Sequence, residues 1–98
     1  MMILFLGNSI EGILADAQSE WPSEQVLVVK RDGDRLQAPE GVVTVEVSQF
    51  QPESGVEYVV VANGGTSAQL VPVLKKLVEA GVPMRAFNLQ RDGVSQLW

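Results

Sequence analysis

The hydrophobic positions along the chain form short runs that predict buried strands. Residues 2–6, 26–29 and 58–62 are apolar at every position, and each run is too short for a helix. Such runs are typical of parallel strands, which are covered on both faces and therefore do not alternate between apolar and polar side chains. Residues 84–89 predict the last core strand.

Two other segments carry apolar residues at helical spacing, and each predicts an amphipathic helix. The first set comprises Ile10, Ile13, Leu14, Ala17 and Trp21. The second set comprises Leu70, Val71, Leu74, Leu77 and Val78. Ser9 stands where the N-cap of the first helix belongs, and Pro22 ends that helix. Gly81 and Pro83 predict the end of the second helix.

Residues 42–47 predict a strand near an edge of the sheet. This segment partly alternates, with Thr44 and Glu46 on one side, so one face of the strand is less buried. The connection that follows, residues 48–57, is short for a crossover between parallel strands. Two arrangements stay open: the strand is antiparallel, or the connection contains a cramped turn of helix.

The predicted order of elements is β-α-β-β-β-α-β, in a single domain that spans residues 1–98. Apolar strands alternating with amphipathic helices indicate a small Rossmann-like α/β fold, with a mostly parallel sheet in two or three layers. The triplet Arg91, Asp92 and Gly93 predicts a turn that brings residues 94–98 back as a C-terminal hairpin. With only two helices, we expect one sheet face to be thinly covered, which favours a homodimer.

Composition narrows the chemistry that the chain can perform. It contains no cysteine and no histidine, which excludes disulfides, cysteine-based metal sites and an imidazole base. Its net charge of −5 argues against a general DNA or RNA binder, although a local site can still hold a small anion. The N-terminal run lacks the basic lead-in of a targeting segment, and no apolar run approaches the roughly 20 residues of a membrane span. We therefore expect a cytoplasmic protein that does not bind membranes.

Two polar segments that follow predicted strands are the main candidates for a binding site. One is Gly-Asn-Ser at residues 7–9, and the other is Asn-Gly-Gly-Thr-Ser at residues 63–67. Open α/β sheets bind ligands beyond the carboxyl ends of their strands, where the strand order reverses, so we expect both segments to share one crevice. The candidate ligand-binding residues are Asn8, Ser9, Asn63, Gly64, Gly65, Thr66 and Ser67.

The second of these segments has the chemistry of an anion site. Its two glycines permit a positive φ and a close approach of the backbone to a ligand. The N–H groups at a helix start carry the positive end of the helix dipole, and the hydroxyls of Thr66 and Ser67 add donors. A plain turn with a Ser or Thr cap has the same composition, so a binding site and simple capping both stay open for the two segments.

Charged residues near the strand ends supply further candidates. Lys30 and Arg31 follow the second strand, and they are either phosphate contacts or solvated turn charges. Asp32 and Asp34 lie in a turn, so no metal site is predicted. The chain has neither a Walker P-loop nor the Gly-x-Gly-x-x-Gly dinucleotide fingerprint, and no cofactor is implied.

From Asn63 to Thr66 the chain resembles CARF domains, the Rossmann-like sensors of cyclic oligoadenylate in type III CRISPR systems. Their motif is commonly Asn, Thr or Ser, then Gly-Gly-Thr and Lys or Pro. This chain has one residue fewer before the glycines, and Ser67 replaces the Lys or Pro. Residues 7–9 are similar to the other ligand loop of the family. The resemblance covers roughly residues 1–20 and 58–90. The middle is shorter than in a usual CARF domain, and a chain of this size is most similar to the minimal ring nucleases and cyclic-oligoadenylate binders.

The resemblance implies a homodimer that binds cyclic oligoadenylate at its crevice and cleaves it, as an off-switch of antiviral signalling. A ribose 2′-OH of the ligand would attack the adjacent phosphate without a metal or cofactor. The catalytic residues would be Ser9, which positions the ribose, and Lys30 or Arg31, which neutralise developing charge. Since the family's Lys is missing, a module that binds or sequesters the messenger without cleavage stays open as the alternative.

Overall fold

The computed structural model describes residues 2–6, 10–36, 38–63, 67–90 and 93–96. The elements are β1 (Met2–Leu6), α1 (Ile10–Glu20), β2 (Gln25–Lys30), β3 (Val43–Glu46), a 3-10 turn (Val47–Gln49), β4 (Tyr58–Asn63), α2 (Ser67–Ala80), β5 (Met84–Gln90) and β6 (Gly93–Gln96). Within these ranges, neither helix has the length and apolar content to cross a bilayer.

The strands form one sheet with β1 at its centre. Their order is β3-β2-β1-β4-β5-β6, and the first five strands of the chain run parallel. β6 runs antiparallel to β5 and completes the predicted C-terminal hairpin. The α/β fold with a mostly parallel sheet is therefore confirmed. We call the end at which the parallel strands finish the carboxyl edge, and the opposite end the amino edge.

β3 is parallel to β2, which settles the orientation that the sequence left open. Val28 pairs with Thr44, and the 3-10 turn follows directly after the strand. The antiparallel alternative is wrong, and the turn of helix is present. The chain from residue 47 to residue 57 reaches about 36 Å when extended. To reach the start of β4, the chain must cross three strand spacings, about 14 Å, and run back roughly the length of one strand. The connection is long enough for this, so a full helix is not required.

Both faces of the sheet are covered, each by one helix. The cluster on the α1 side contains Ile3, Phe5, Ile13, Leu14, Ala17, Val28, Val59 and Val61. The cluster on the α2 side contains Leu4, Val29, Phe50, Tyr58, Val60, Ala62, Leu70, Val73, Leu77, Val82 and Ala86. The two connections on either side of β3 complete the cover. The β2–β3 connection contributes Leu36 and Val42 on the α1 side, and the β3–β4 connection contributes Val47 and Val56 on the α2 side. The expectation of a thinly covered face is therefore wrong, and the fold has three layers.

The buried side of α2 differs from the side that the sequence pattern predicted. Leu70, Val73 and Leu77 are buried, whereas Val71 and Val78 are 59% and 63% exposed. Those two valines lie about 100° around the helix axis from Leu70 and Leu77, so one surface cannot include them all at full burial. The outer surface of α2 consequently carries two exposed valines one heptad apart.

Lys76 ties α2 to the connection between β3 and β4. Its ammonium group donates hydrogen bonds to the carbonyl oxygens of Val47, at 2.5 Å, and Phe50, at 3.0 Å. Further along, the backbone N–H of Glu53 donates to the hydroxyl of Tyr58 at 2.7 Å. These bonds hold the connection, which contains only the 3-10 turn, against the α2 side of the sheet.

We predict that Lys76→Met destabilises the protein by about 1–3 kcal/mol, because it keeps the apolar stem but removes a charged donor from two partly buried carbonyls. The measurement is the free energy of unfolding in urea. Lys75→Met is the matched control, since Lys75 is exposed on the same helix. Equal stability of the two variants would show that the Lys76 hydrogen bonds contribute nothing.

Candidate functional site

The strand order reverses between β1 and β4, and this is where an open α/β sheet binds ligands. The chain passes from β1 to β2 on one side, and β4 pairs with the other side of β1. Leu6 at the end of β1 pairs with Ala62, one residue before the end of β4. Both strands therefore finish together at the carboxyl edge, and a helix follows each of them.

Most of the candidate binding residues lie outside the described part of the chain. This applies to Asn8, Ser9, Gly64, Gly65 and Thr66. Asn63 is the last residue of β4, and Ser67 is the first residue of α2. Ligand binding by these residues stays a prediction. The fold is consistent with it, because the two segments follow neighbouring parallel strands.

Lys30 lies at the same edge, because β2 is parallel to β1. Val28 pairs with Phe5, so Lys30 extends past the last residue of β1. Its side chain is half-buried, and Arg31 beyond it is exposed. The two candidate catalytic cations are therefore one strand away from the point at which the strand order reverses.

Three carboxylates share this corner of the sheet with the two cations. Glu46 pairs with Lys30 in the strand register. Asp32 accepts a hydrogen bond from the backbone N–H of Ser48 at 3.0 Å, and Asp34 accepts one from Leu36 at 3.2 Å. The carboxylates fix the path of the neighbouring connections, and their charge offsets the attraction of this corner for an anion.

Asn88 is a polar residue of the carboxyl edge that our sequence analysis did not single out. It pairs with Ala62, and it occupies the α2 side of the sheet because Ala86, two residues earlier, belongs to the α2-side cluster. Its side-chain oxygen is buried and has no hydrogen-bond partner among the described residues. A polar residue inside the predicted core strand 84–89 was the available signal. An unpaired buried acceptor costs about 1–3 kcal/mol, so a hydrogen-bond donor from outside the described residues would be stabilising at this position.

The described part of the chain offers hydrogen bonding and charge, with no cluster of three metal-ligating side chains. Comparison with protein-family models, curated proteins and solved structures finds no match to this chain.

We predict that Asn88→Val leaves the unliganded protein as stable as the wild type or raises its free energy of unfolding by about 1 kcal/mol. The reason is that the substitution removes an unpaired acceptor and places a β-branched residue in a strand. Asn88→Asp is the matched comparison, and we expect it to destabilise because it puts a charge where the side-chain oxygen is buried. Urea unfolding of both variants is the test, and a clear loss of stability in Asn88→Val would mean that the amide is paired in solution.

Proposed function

We propose that the chain binds a cyclic oligoadenylate beyond the ends of β1 and β4 and cleaves it. The observation that carries the proposal is the pairing of β1 with β4, since each strand leads into one of the two segments that resemble CARF ligand loops. Neighbouring parallel strands bring such segments to one crevice. Cyclic oligoadenylate is small and its phosphates are anionic, which suits a local site in a chain of net charge −5.

In this proposal the backbone holds the phosphate. The N–H groups from Gly65 to Ser67 would donate to phosphate oxygens at the start of α2, where the helix dipole is positive. Asn8 and Ser9 would position the ribose or base. Asn88 supports the same site, because its unpaired oxygen can accept a hydrogen bond from a ligand hydroxyl or amine once the side chain turns toward it.

The cleavage step needs no outside nucleophile. The ribose 2′-oxygen forms a bond to the adjacent phosphorus, the bond from that phosphorus to the 5′-oxygen breaks, and the 2′-OH proton ends on the leaving 5′-oxygen. The product ends in a 2′,3′-cyclic phosphate and a 5′-hydroxyl. An intramolecular attack depends chiefly on in-line geometry, which binding can provide. Lys30 or Arg31 would stabilise charge on the phosphate oxygens.

The carboxylates beside those cations favour a second candidate function, which is binding without cleavage. Glu46 lies next to Lys30 in the register, and Asp32 and Asp34 follow Arg31. If these acids cancel the charge stabilisation, the chain would sequester the messenger. This candidate differs from the first only in the rate of the chemical step.

A direct assay separates the two candidates. We expect the protein to bind cyclic tetra-adenylate or hexa-adenylate and to convert it, in the presence of EDTA, to linear products that chromatography resolves. Tight binding with intact ligand after prolonged incubation would support the sequestering function. Absence of binding to either ring would overturn both.

Three variants test the residues of the proposed site. Gly65→Val should reduce binding most, because the proposed phosphate contact requires a close approach of the backbone, and the strain of a β-branched residue in such a place costs roughly 1–3 kcal/mol. Thr66→Ala should weaken binding about tenfold to a hundredfold by loss of one hydrogen bond to a charged group. Ser9→Ala should slow single-turnover cleavage more than it weakens binding. Unchanged ligand affinity with a lower melting temperature in all three would mean that the segments only turn and cap the chain.

We also propose that the chain is a homodimer, with a contribution from the exposed valines of α2. We expect light scattering to give twice the 10.6 kDa chain mass. The double variant Val71→Ser and Val78→Ser should lower that mass, because it removes the exposed apolar surface of the helix. Val43→Ser is the control, since Val43 is also exposed but lies on β3. A monomer mass for the wild type, with or without cyclic oligoadenylate, would contradict the proposal.

A further inference from the structure

A cavity lies at the amino edge of the sheet, opposite the carboxyl edge. Its volume is about 220 Å³, and it lies where β1, β2, β3 and β4 begin. The connection between β3 and β4 forms its outer wall. The cavity exists because that connection contains only a 3-10 turn, where a full crossover helix would fill the space against β2 and β3.

The interior of the cavity is largely apolar and large enough for an aromatic ring. Met2, Leu27 and Val43 line it from the sheet, and Phe50 and Tyr58 line it from the connection and β4. The two aromatic rings meet edge to face, with centroids 6.1 Å apart. Apolar protein cavities of about 150 Å³ are known to bind benzene, so this volume accepts a ring with a short side chain.

The outer wall is held in place before any ligand arrives. Lys76 fixes the carbonyls of Val47 and Phe50, and the hydroxyl of Tyr58 accepts the backbone N–H of Glu53. A site that is already formed loses little conformational entropy when it binds a ligand. The cavity therefore has the rigidity that a small ligand needs.

Glu53 decides which class of ligand the cavity favours. Among the described residues that line the cavity it is the one with a charged side chain, and the polar residues beside it are Gln25, Gln51 and Tyr58. Within the described residues Glu53 has no ion-pair partner. An ammonium group beside this carboxylate would form a charge-assisted hydrogen bond, and the net charge of −5 raises the local concentration of cations.

We propose that this cavity binds a small arylalkyl amine, with the ring between Leu27, Phe50 and Tyr58 and the ammonium group on Glu53. An aryl carboxylate is rejected by repulsion from the same residue. A neutral analogue gains only the burial of its ring. The site does not depend on the proposed function at the carboxyl edge.

The test is a titration of the intact protein, followed by amide chemical shifts, with 2-phenylethylamine as the probe. We expect saturable shifts at the residues that line the cavity. The neutral 2-phenylethanol should bind about fivefold to tenfold more weakly, as expected for loss of one charged hydrogen bond at a partly exposed position. Higher salt should weaken the amine and leave the alcohol unchanged.

Two variants identify the carboxylate. Glu53→Gln should bring the affinity for the amine down to that of the alcohol, whereas Glu79→Gln should not change it. Both substitutions remove one negative charge from an exposed position, and Glu79 lies on α2, outside the cavity. The proposal is overturned if 2-phenylethylamine gives no saturable shifts up to about 10 mM, a concentration that would reveal even millimolar binding. It is also overturned if the alcohol binds as well as the amine, or if the two variants behave alike.

Discussion

The structure depends on the burial of β1 between two parallel neighbours and two apolar layers. Ile3, Leu4 and Phe5 are each at most 2% exposed, and they belong to both core clusters: Leu4 faces α2, whereas Ile3 and Phe5 face α1. A strand in this position must be apolar at every residue. The same position places the reversal of strand order beside it, so the strand that holds the core together also determines where the candidate binding segments begin.

The buried strands and the α/β fold class could be predicted from the sequence, because a short, continuous apolar run in so small a chain is compatible with few structures other than a buried strand. The side of α2 that is buried could not. Its apolar residues cover more than half of the helix circumference, and the pattern therefore allows two orientations about the axis. Packing against the sheet selects Val73 and leaves Val71 exposed. The direction of β3 was also open, because the length of the connection that follows does not determine whether the strand is parallel or antiparallel.

The candidate site, like the fold, could be predicted from the sequence only in part. Composition and spacing identify the glycine-containing segments, since glycine next to hydroxyl residues at a helix start has recognisable chemistry. The sequence shows Asp32 and Asp34 close to Lys30, but their position in a turn indicates solvated side chains. The Asp34 bond to the backbone of Leu36 is local to the turn, whereas the Asp32 bond to the backbone of Ser48 depends on a contact that only the fold creates. Asn88 could not be identified from the sequence alone, because only the structure shows that its side-chain oxygen is buried and unpaired among the described residues.

The central place of β1 has a consequence for how the chain folds. Its neighbour β4 is distant in sequence: Leu4 pairs with Val60, so most of the chain must be present before β1 has both partners. Parallel pairing at this separation incurs the entropy of closing a long loop before the contacts repay it. During synthesis the first strand leaves the ribosome long before its second neighbour exists. The chain is therefore expected to fold slowly for its length, with an apolar strand exposed to aggregation or chaperone binding until β4 arrives.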